Sequence, residues 1–187
     1  MSLQFESAHF VYKPTSTEDE DLFLEIYTNS EIMKFVATPL SFDDATKLYE
    51  SSLLEWDFQS GKLLTFVIRC KKTDGKIGLC GVKTSDIFTK QGHIGVMLLS
   101  KYQSMGFGTE ILIALSAFCF NSLGYHKLLG PPVPGNTKSI KMLLNAGYQK
   151  EAVLRDNWII DGQYIDTPLY TLIETDFRKQ FTSELFK

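Results

Sequence analysis

The stretch YQSMGFGTE at 102–110 constrains the fold more than any other part of the chain. It separates two apolar runs, which predict a buried strand before it and a buried helix after it, the helix beginning at Thr109. Gly106 and Gly108 let the backbone turn sharply between these elements. Because the first amides of a helix are unpaired and carry partial positive charge, the amides from about Ser104 to Thr109 can converge on a diphosphate. A tight connection that binds nothing produces the same pattern, so both interpretations stay open.

Two other phosphate-binding motifs do not match this turn. A P-loop requires Gly-Lys-Ser/Thr, whereas Gly108 is followed by Thr109 and Glu110. A dinucleotide fingerprint requires a third glycine at the position that Ile111 occupies. Glu110 would also repel a phosphate, so we expect its side chain to point toward the sheet or the solvent.

The remaining pattern predicts one α+β domain that spans residues 1–187. Strands are predicted over SAHFVYKP, LLTFVIRC, KIGLCGVKTSD, GHIGVMLLS, KLLGPPV, QKEAVLRD and YIDTPLYTLIE. Turn signals at Asp74-Gly75 and Asp161-Gly162 join four of these strands into hairpins. Helices are predicted over STEDEDLFLEIYTN, SFDDATKLYESSLLEW, the segment from Thr109 to about Leu123, and NTKSIKMLLN, which stops before Gly147.

Charge and cysteine usage exclude several classes of protein. The net charge is −3 and the Lys and Arg residues are scattered, so no surface for nucleic acid is predicted. The most continuous apolar run, Ile111–Phe120, is about half of the roughly 20 residues that a membrane span needs. The N-terminus lacks a signal-peptide pattern, which predicts a cytoplasmic protein. Cys70, Cys80 and Cys119 match neither a zinc site nor a redox pair, and the histidines are dispersed, so no metal site is expected.

The glycine turn resembles a family signature. Gln103-x-x-Gly106-x-Gly108 is similar to the Q/R-x-x-G-x-G/A motif of the GNAT acetyltransferase superfamily. The features that follow it are a long helix, YHKL, NTKS at 136–139, LLNAGY, EAVLR, GQYID and LYTLI. This series resembles the RimJ/RimL-like branch, which includes ribosomal-protein N-terminal acetyltransferases, over nearly the whole chain. The resemblance implies the GNAT acyl-CoA N-acyltransferase fold: a mixed, mostly antiparallel sheet of about seven strands, splayed in the middle and flanked by helices.

The resemblance also implies that acetyl-CoA is the co-substrate and that it lies in the gap of the splayed sheet. In the family the glycine turn holds the pyrophosphate, so a side chain on Gly108 would block the phosphate. The splayed strand pairs with the pantetheine amides, and one of its amides faces the thioester carbonyl. An asparagine after the fifth strand contacts the cofactor. The matching residues here are Met97, Leu98, Leu99, Gln103, Ser104, Met105, Gly106, Phe107, Gly108, Thr109, Asn136 and Ser139.

Two residues are the main candidates for proton transfer in the family reaction, a direct transfer from the thioester to a neutral amine. Many relatives carry a glutamate just before the Ile-Gly of the splayed strand, and His93 occupies that position; it can serve as base or can simply be an exposed strand residue. Asp86 and Glu31 are further candidates. Many GNAT enzymes place a tyrosine acid where this chain has Leu143. Ser139, whose counterpart approaches the sulfur in the RimL-like branch, is therefore our candidate proton donor, the alternative being a serine bonded to the preceding helical turn.

The predicted activity is transfer of an acetyl group from acetyl-CoA to a primary amine, and the branch favours a protein N-terminal α-amine. An α-amine has a pKa of about 7.7–8.0, against about 10.4 for a lysine, so it is appreciably neutral at cytosolic pH. A polyamine, an aminoglycoside or another small amine stays open as acceptor, as does a catalytically silent module that only binds acetyl-CoA. Trp158 and Tyr164 are candidates for the wall of the acceptor site. The oligomeric state, a homodimer included, stays open.

Overall fold

An eight-stranded sheet forms the centre of the protein in the computed structural model, which describes residues 3–160 and 162–181. Its strands are β1 (Phe5–Glu6), β2 (Phe10–Pro14), β3 (Leu63–Cys70), β4 (Lys76–Asp86), β5 (Gln91–Leu98), β6 (Lys127–Gly130), β7 (Gln149–Ile160) and β8 (Gln163–Ile173). They lie in the order β1-β2-β3-β4-β5-β6-β8-β7; β5 and β6 are parallel, and the other neighbouring pairs are antiparallel. The predicted mixed, mostly antiparallel sheet is confirmed, with the short β1 as an additional strand.

Helices cover both faces of this sheet. Within the described residues they are α1 (Glu20–Tyr27), α2 (Ser30–Met33), α3 (Phe42–Ser52), α4 (Phe107–Asn121), α5 (Thr137–Asn145) and α6 (Glu174–Gln180). α4 packs in one core with Phe66, whereas α1 and α3 pack in a second core with Val67. Side chains alternate along a strand, so these neighbours on β3 belong to opposite faces. No helix in the described part of the chain is long and apolar enough to cross a membrane.

α3 is shorter than its sequence predicts. The pattern extends the helix to Trp56, but α3 ends at Ser52. There the Ser52 hydroxyl donates to the Tyr49 carbonyl oxygen at 2.6 Å. Such a bond offers the last carbonyl groups of α3 an alternative to the hydrogen bonds of a continuing helix.

β5 and β6 separate after a short parallel contact. They pair over Gln91–His93 and Lys127–Leu129, after which β5 continues beside β4 as far as Leu98. β6 instead runs into Pro131 and Pro132, which have no amide to donate to a ladder. Among the described residues no strand pairs with this edge of β5 beyond His93, and the edge faces the gap that the resemblance implies.

Candidate active site

A cleft of about 380 Å³ opens at the gap between β5 and β6. The splayed strands and parts of β3 and β4 line one side, and α5, the end of α1, the segment after α2 and parts of β7 and β8 line the rest. The residues predicted from the sequence that line the cleft are His93, Met97, Asn136, Ser139 and Trp158. The fold therefore brings candidates from distant parts of the chain to one cavity.

The glycine turn presents the N-terminus of α4 without a cap. α4 begins at Phe107 rather than Thr109, because Gly106 takes a left-handed φ of 84° and occupies the N-cap position. Ser104 is also left-handed, with a φ of 62°. No described side chain caps this helix, and a Cβ built on Gly106 would meet no atom within 4 Å. The first amides of α4 are therefore open to an anion, as the predicted diphosphate site requires.

Gly108 serves the packing of α4 against α5. A Cβ built on it would lie 2.9 Å from Sδ of Met142 on α5, which is closer than real Cβ atoms approach. This corrects the expectation that a side chain there would occupy the phosphate site, because the space in question faces α5. The amide of Gly108 remains in the first turn of α4.

The Glu110 carboxylate points away from this open N-terminus. Its Oε1 accepts from the Ser7 hydroxyl at 2.7 Å and from the His9 amide at 2.8 Å, and its Oε2 lies 2.8 Å from Nδ1 of His9. Burial by itself raises the pKa of Glu110, but the hydrogen bonds from His9 and Ser7 outweigh it and hold that pKa below its ordinary value. Glu110 thus anchors α4 to the turn between β1 and β2.

The edge of β5 offers the cleft fewer backbone groups than the sequence suggested. The Leu99 amide donates to the Ile77 carbonyl oxygen at 3.0 Å, on the side of β4. Backbone groups of successive strand residues point to opposite edges, so those of Met97 also face β4, while those of Val96 and Leu98 face the gap. Nε2 of Gln103 donates to the Leu98 carbonyl oxygen at 3.0 Å and ties the glycine turn to this edge. We therefore reassign the backbone pairing from Met97 and Leu99 to Val96 and Leu98.

Asn136 and Ser139 place the first turn of α5 against the cleft. Oδ1 of Asn136 accepts from the Ser139 amide at 3.0 Å, which caps the helix. This cap uses the oxygen of the Asn136 side chain and leaves its Nδ2 donor for a ligand. The Ser139 hydroxyl makes no hydrogen bond within the described residues, so it is not bonded back to the preceding turn as the alternative required.

His93 lies where β5 and β6 part, opposite Lys83 on β4. His93 lines the cleft but is an exposed residue of β5; its partial desolvation and, secondarily, the positive charge of Lys83 lower its pKa from the ordinary 6.5. The imidazole is therefore neutral at pH 7 and able to accept a proton. Asp86 and Glu31, the other candidates, are not among the described residues that line the cleft.

A second cavity, of about 410 Å³, adjoins the cleft at Asn157 and Trp158. Its other lining residues are Ala37, Thr38, Asp156, Ile159 and Tyr164. Trp158 and Tyr164, the predicted aromatic wall, are thus brought together. Asp156 is the single carboxylate that the described residues contribute to the lining of the cleft and this cavity.

A bulge in β7 directs Asn157 and Trp158 into these cavities. The register between β7 and β8 shifts just before Trp158, and Asp156 has a φ of 49°, a conformation that Asp tolerates better than most residues. The Asp156 amide donates to Oδ1 of Asp166 at 3.0 Å, and Nδ2 of Asn157 donates to Oγ1 of Thr167 at 2.7 Å. Side chains of β8 therefore hold the bulge, and bulges often re-aim side chains beside active sites.

Known proteins share this architecture. Residues 9–149 match the model of a family described as acetyltransferase (GNAT) domain. The chain belongs to the GNAT acetyltransferase family. This GNAT chain is 30% identical over 162 residues to an uncharacterized N-acetyltransferase of Bacillus licheniformis, a match that covers 86% of this chain and 90% of the relative. The predicted enzyme class, an N-acetyltransferase of GNAT type, is confirmed.

Two further likenesses connect this GNAT acetyltransferase with enzymes whose acceptors are named. A stretch of 85 residues, 46% of this chain and 44% of the relative, is 28% identical to the ribosomal protein uS5-alanine N-acetyltransferase of Escherichia coli. The crystal structure of spermidine N-acetyltransferase from Vibrio cholerae, in complex with CoA and spermine, has a TM-score of 0.80. It is 18% identical, and the match covers 91% of this chain and 98% of that one. The second likeness shows the fold, whereas the first supports the link to the ribosomal-protein branch.

Proposed function

We propose that this enzyme transfers the acetyl group of acetyl-CoA to the α-amine of a protein N-terminus. The observation that carries the choice of acceptor is the low charge of the cavities, to which the described residues contribute one carboxylate, Asp156. A polyamine or an aminoglycoside brings several positive charges, and each needs compensation when it leaves water. An α-amine that reacts in its neutral form needs none. The likeness to the uS5-alanine N-acetyltransferase supports the same acceptor.

The open N-terminus of α4 is suited to the diphosphate of acetyl-CoA, and the gap-facing edge of β5 is suited to its pantetheine arm. Backbone amides of a helix N-terminus bind anions, and the Val96 and Leu98 backbone groups can pair with pantetheine amides in the way that a strand would. Nδ2 of Asn136 is a further donor on the opposite side of the gap. These contacts would direct the thioester to the cleft.

Different residues of the cleft carry out the two proton transfers of the reaction. The amine nitrogen bonds to the thioester carbon as the carbon–sulfur bond breaks, and neutral His93 accepts the proton that the nitrogen loses, directly or through a water. The Ser139 hydroxyl passes its proton to the departing sulfur, which leaves as the thiol of coenzyme A, and Ser139 regains a proton from the solvent while His93 releases the amine proton to it. One gap-facing amide of β5 donates to the carbonyl oxygen while negative charge develops there.

Release of free thiol from acetyl-CoA, measured across a panel of amines, tests the proposed acceptor. We expect release with peptides that have a free N-terminus, a mass increase of one acetyl group on their α-amine, and little release with spermidine or an aminoglycoside. The same peptides with a blocked N-terminus are the control. Faster release with spermidine than with any peptide would contradict the proposal. Binding of acetyl-CoA without release by any amine would instead identify a catalytically silent module.

The pH dependence of kcat/KM should report the ionisation of His93. Below the amine pKa of about 7.7–8.0, the logarithm of kcat/KM should fall with a slope of one. The slope should become two below the lowered pKa of His93, which lies under 6.5, because a protonated imidazole cannot accept a proton. His93→Ala should keep a slope of one and lower kcat/KM by about 100-fold.

Lys83→Gln is the matched control for this profile. Removing the cation opposite His93 should raise the histidine pKa, so the steeper segment should begin at a higher pH with kcat/KM at neutral pH little changed. An identical profile for the wild-type enzyme and His93→Ala would exclude His93 as the base.

A further inference from the structure

Tyr27, the last residue of α1, lines the cleft although it belongs to the hydrophobic core on the α1 face of the sheet. Its side chain is 8% exposed, and its ring centroid lies 5.8 Å from that of Phe23. The ring packs in the core on the α1 face of the sheet, together with Leu79 and Met97. Since Leu79 and Met97 also line the cleft, Tyr27 connects that core to the cavity where the acceptor amine is proposed to react.

The Tyr27 hydroxyl lacks the hydrogen bonds that several other buried tyrosines make. Oη of Tyr49 donates to the Ser16 carbonyl oxygen at 3.2 Å, and the hydroxyls of Tyr125 and Tyr148 hydrogen-bond to Thr84 and Ser116 at 2.7 and 2.9 Å. Oη of Tyr27 has no hydrogen-bond partner within the described residues. Every fully buried side-chain polar atom there has one, so this hydroxyl must be accessible, and the cleft is the cavity that Tyr27 lines.

The hydroxyl has the chemistry of a neutral hydrogen-bonding group. Burial raises the pKa of Tyr27 to about 12, so the phenol stays protonated at physiological pH. It therefore cannot take the amine proton as a base. A phenol oxygen can accept a hydrogen bond from an N–H as well as donate one.

We propose that Oη of Tyr27 accepts the N–H that the acceptor nitrogen keeps through the reaction, and so selects primary amines. The inference rests on the proposed acceptor. A neutral primary amine has a lone pair, which attacks the thioester carbon, and two N–H groups. One proton goes to His93 and the other stays in the product amide, where it needs an acceptor throughout. A secondary amine has no second N–H and would place a methyl group against this hydroxyl.

A pair of peptides that differ only in an N-methyl group on the α-amine tests this selection. Tyr27→Phe removes the hydroxyl and keeps the ring. We expect it to lower kcat/KM for the unmethylated peptide about tenfold, to leave kcat/KM for the N-methyl peptide unchanged, and to leave acetyl-CoA affinity and the unfolding midpoint unchanged. An equal effect on both peptides, or no effect on either, would overturn the proposal.

Tyr49→Phe is the matched control, since its hydroxyl is bonded to Ser16 away from the cleft. It should lower the unfolding midpoint and keep the wild-type preference for the unmethylated peptide. Titration of the peptides into the complex of enzyme and coenzyme A, where no transfer takes place, measures acceptor binding separately. Tyr27→Phe should weaken binding of the unmethylated peptide alone. A wild-type enzyme that neither acetylates nor binds either peptide would overturn the proposed acceptor and, with it, the role of Tyr27.

Discussion

Replacing Gly106 with valine is expected to lower acetyl-CoA affinity about 10- to 100-fold and to leave the fold intact. Gly106 has a φ of 84°, a left-handed conformation that a β-branched residue adopts only with strain. Such strain costs about 1–3 kcal/mol. If the loop must regain its wild-type conformation to bind acetyl-CoA, this cost raises the dissociation constant by about 10- to 100-fold. Gly106 itself belongs to neither hydrophobic core, although its neighbour Phe107 packs against the first, so little stability should be lost. Titration calorimetry with acetyl-CoA measures the affinity.

Gly61→Val is the matched control for this variant. Gly61 is also left-handed, with a φ of 67°, and a Cβ on it would also meet nothing within 4 Å. It lies in the exposed loop before β3 and is not among the described residues that line the cleft or the second cavity. The Gly61→Val variant should therefore have the same backbone strain, and its affinity for acetyl-CoA should be unchanged. If Gly106→Val bound acetyl-CoA with wild-type affinity, the conformation of the glycine turn would have no part in cofactor binding.

Replacing Asp19 with alanine is expected to lower the free energy of unfolding by about 3–5 kcal/mol. Asp19 is 2% exposed, and its Oδ1 lies 3.2 Å from the Arg69 guanidinium and 3.1 Å from Nζ of Lys76. Its Oδ2 accepts from the amide and the hydroxyl of Ser16 at 2.9 and 2.6 Å. Without this carboxylate two partly buried cations lose a partner, which accounts for the large effect. Denaturant titration at pH 7 measures the loss.

The pH dependence of the free energy of unfolding is a second test of the role of Asp19. Burial by itself raises the pKa of Asp19, but the hydrogen bonds from Ser16 and the interaction with Lys76 outweigh it and lower that pKa below its ordinary 3.8. The contribution of the Asp19 carboxylate to the free energy of unfolding is therefore complete above pH 3.8. It is lost as the pH falls through the lower pKa that Asp19 has in the folded state. Asp21→Asn is the control, because Asp21 also contacts Lys76, at 2.8 Å, but is 78% exposed. Asp21→Asn should lower the free energy of unfolding by less than about 1 kcal/mol. An equal loss of stability in Asp19→Ala and Asp21→Asn would contradict the account.

The conformation of the glycine turn was predictable from the sequence because its signals are local. Positive φ at Gly106 and the unpaired amides of the helix that follows depend on a few neighbouring residues. The reason for Gly108 was not predictable, because it depends on how closely Met142 of α5 approaches α4. The choice between Met97 and Val96 for backbone pairing likewise required the register of β4 and β5.

The acceptor end was less predictable, because tertiary contacts between distant residues shape it. The bulge in β7 depends on side-chain bonds from Asp166 and Thr167, and strand propensity carries no signal for them. The place of Tyr27 in the lining of the cleft was not predictable, because the cleft forms where β5 and β6 separate. Trp158 was recognisable as an exposed aromatic residue near a hairpin, whereas its place between two cavities was not.

A crystal structure of the protein with coenzyme A tests the central claim most directly, namely that the uncapped start of α4 and the free edge of β5 together bind the donor. The diphosphate should lie against the amides of the first turn of α4, next to Gly106. The pantetheine arm should run along Val96 and Leu98, with the sulfur in the cleft near Ser139. Coenzyme A bound elsewhere, with the start of α4 contacting only solvent or protein side chains, would contradict the account.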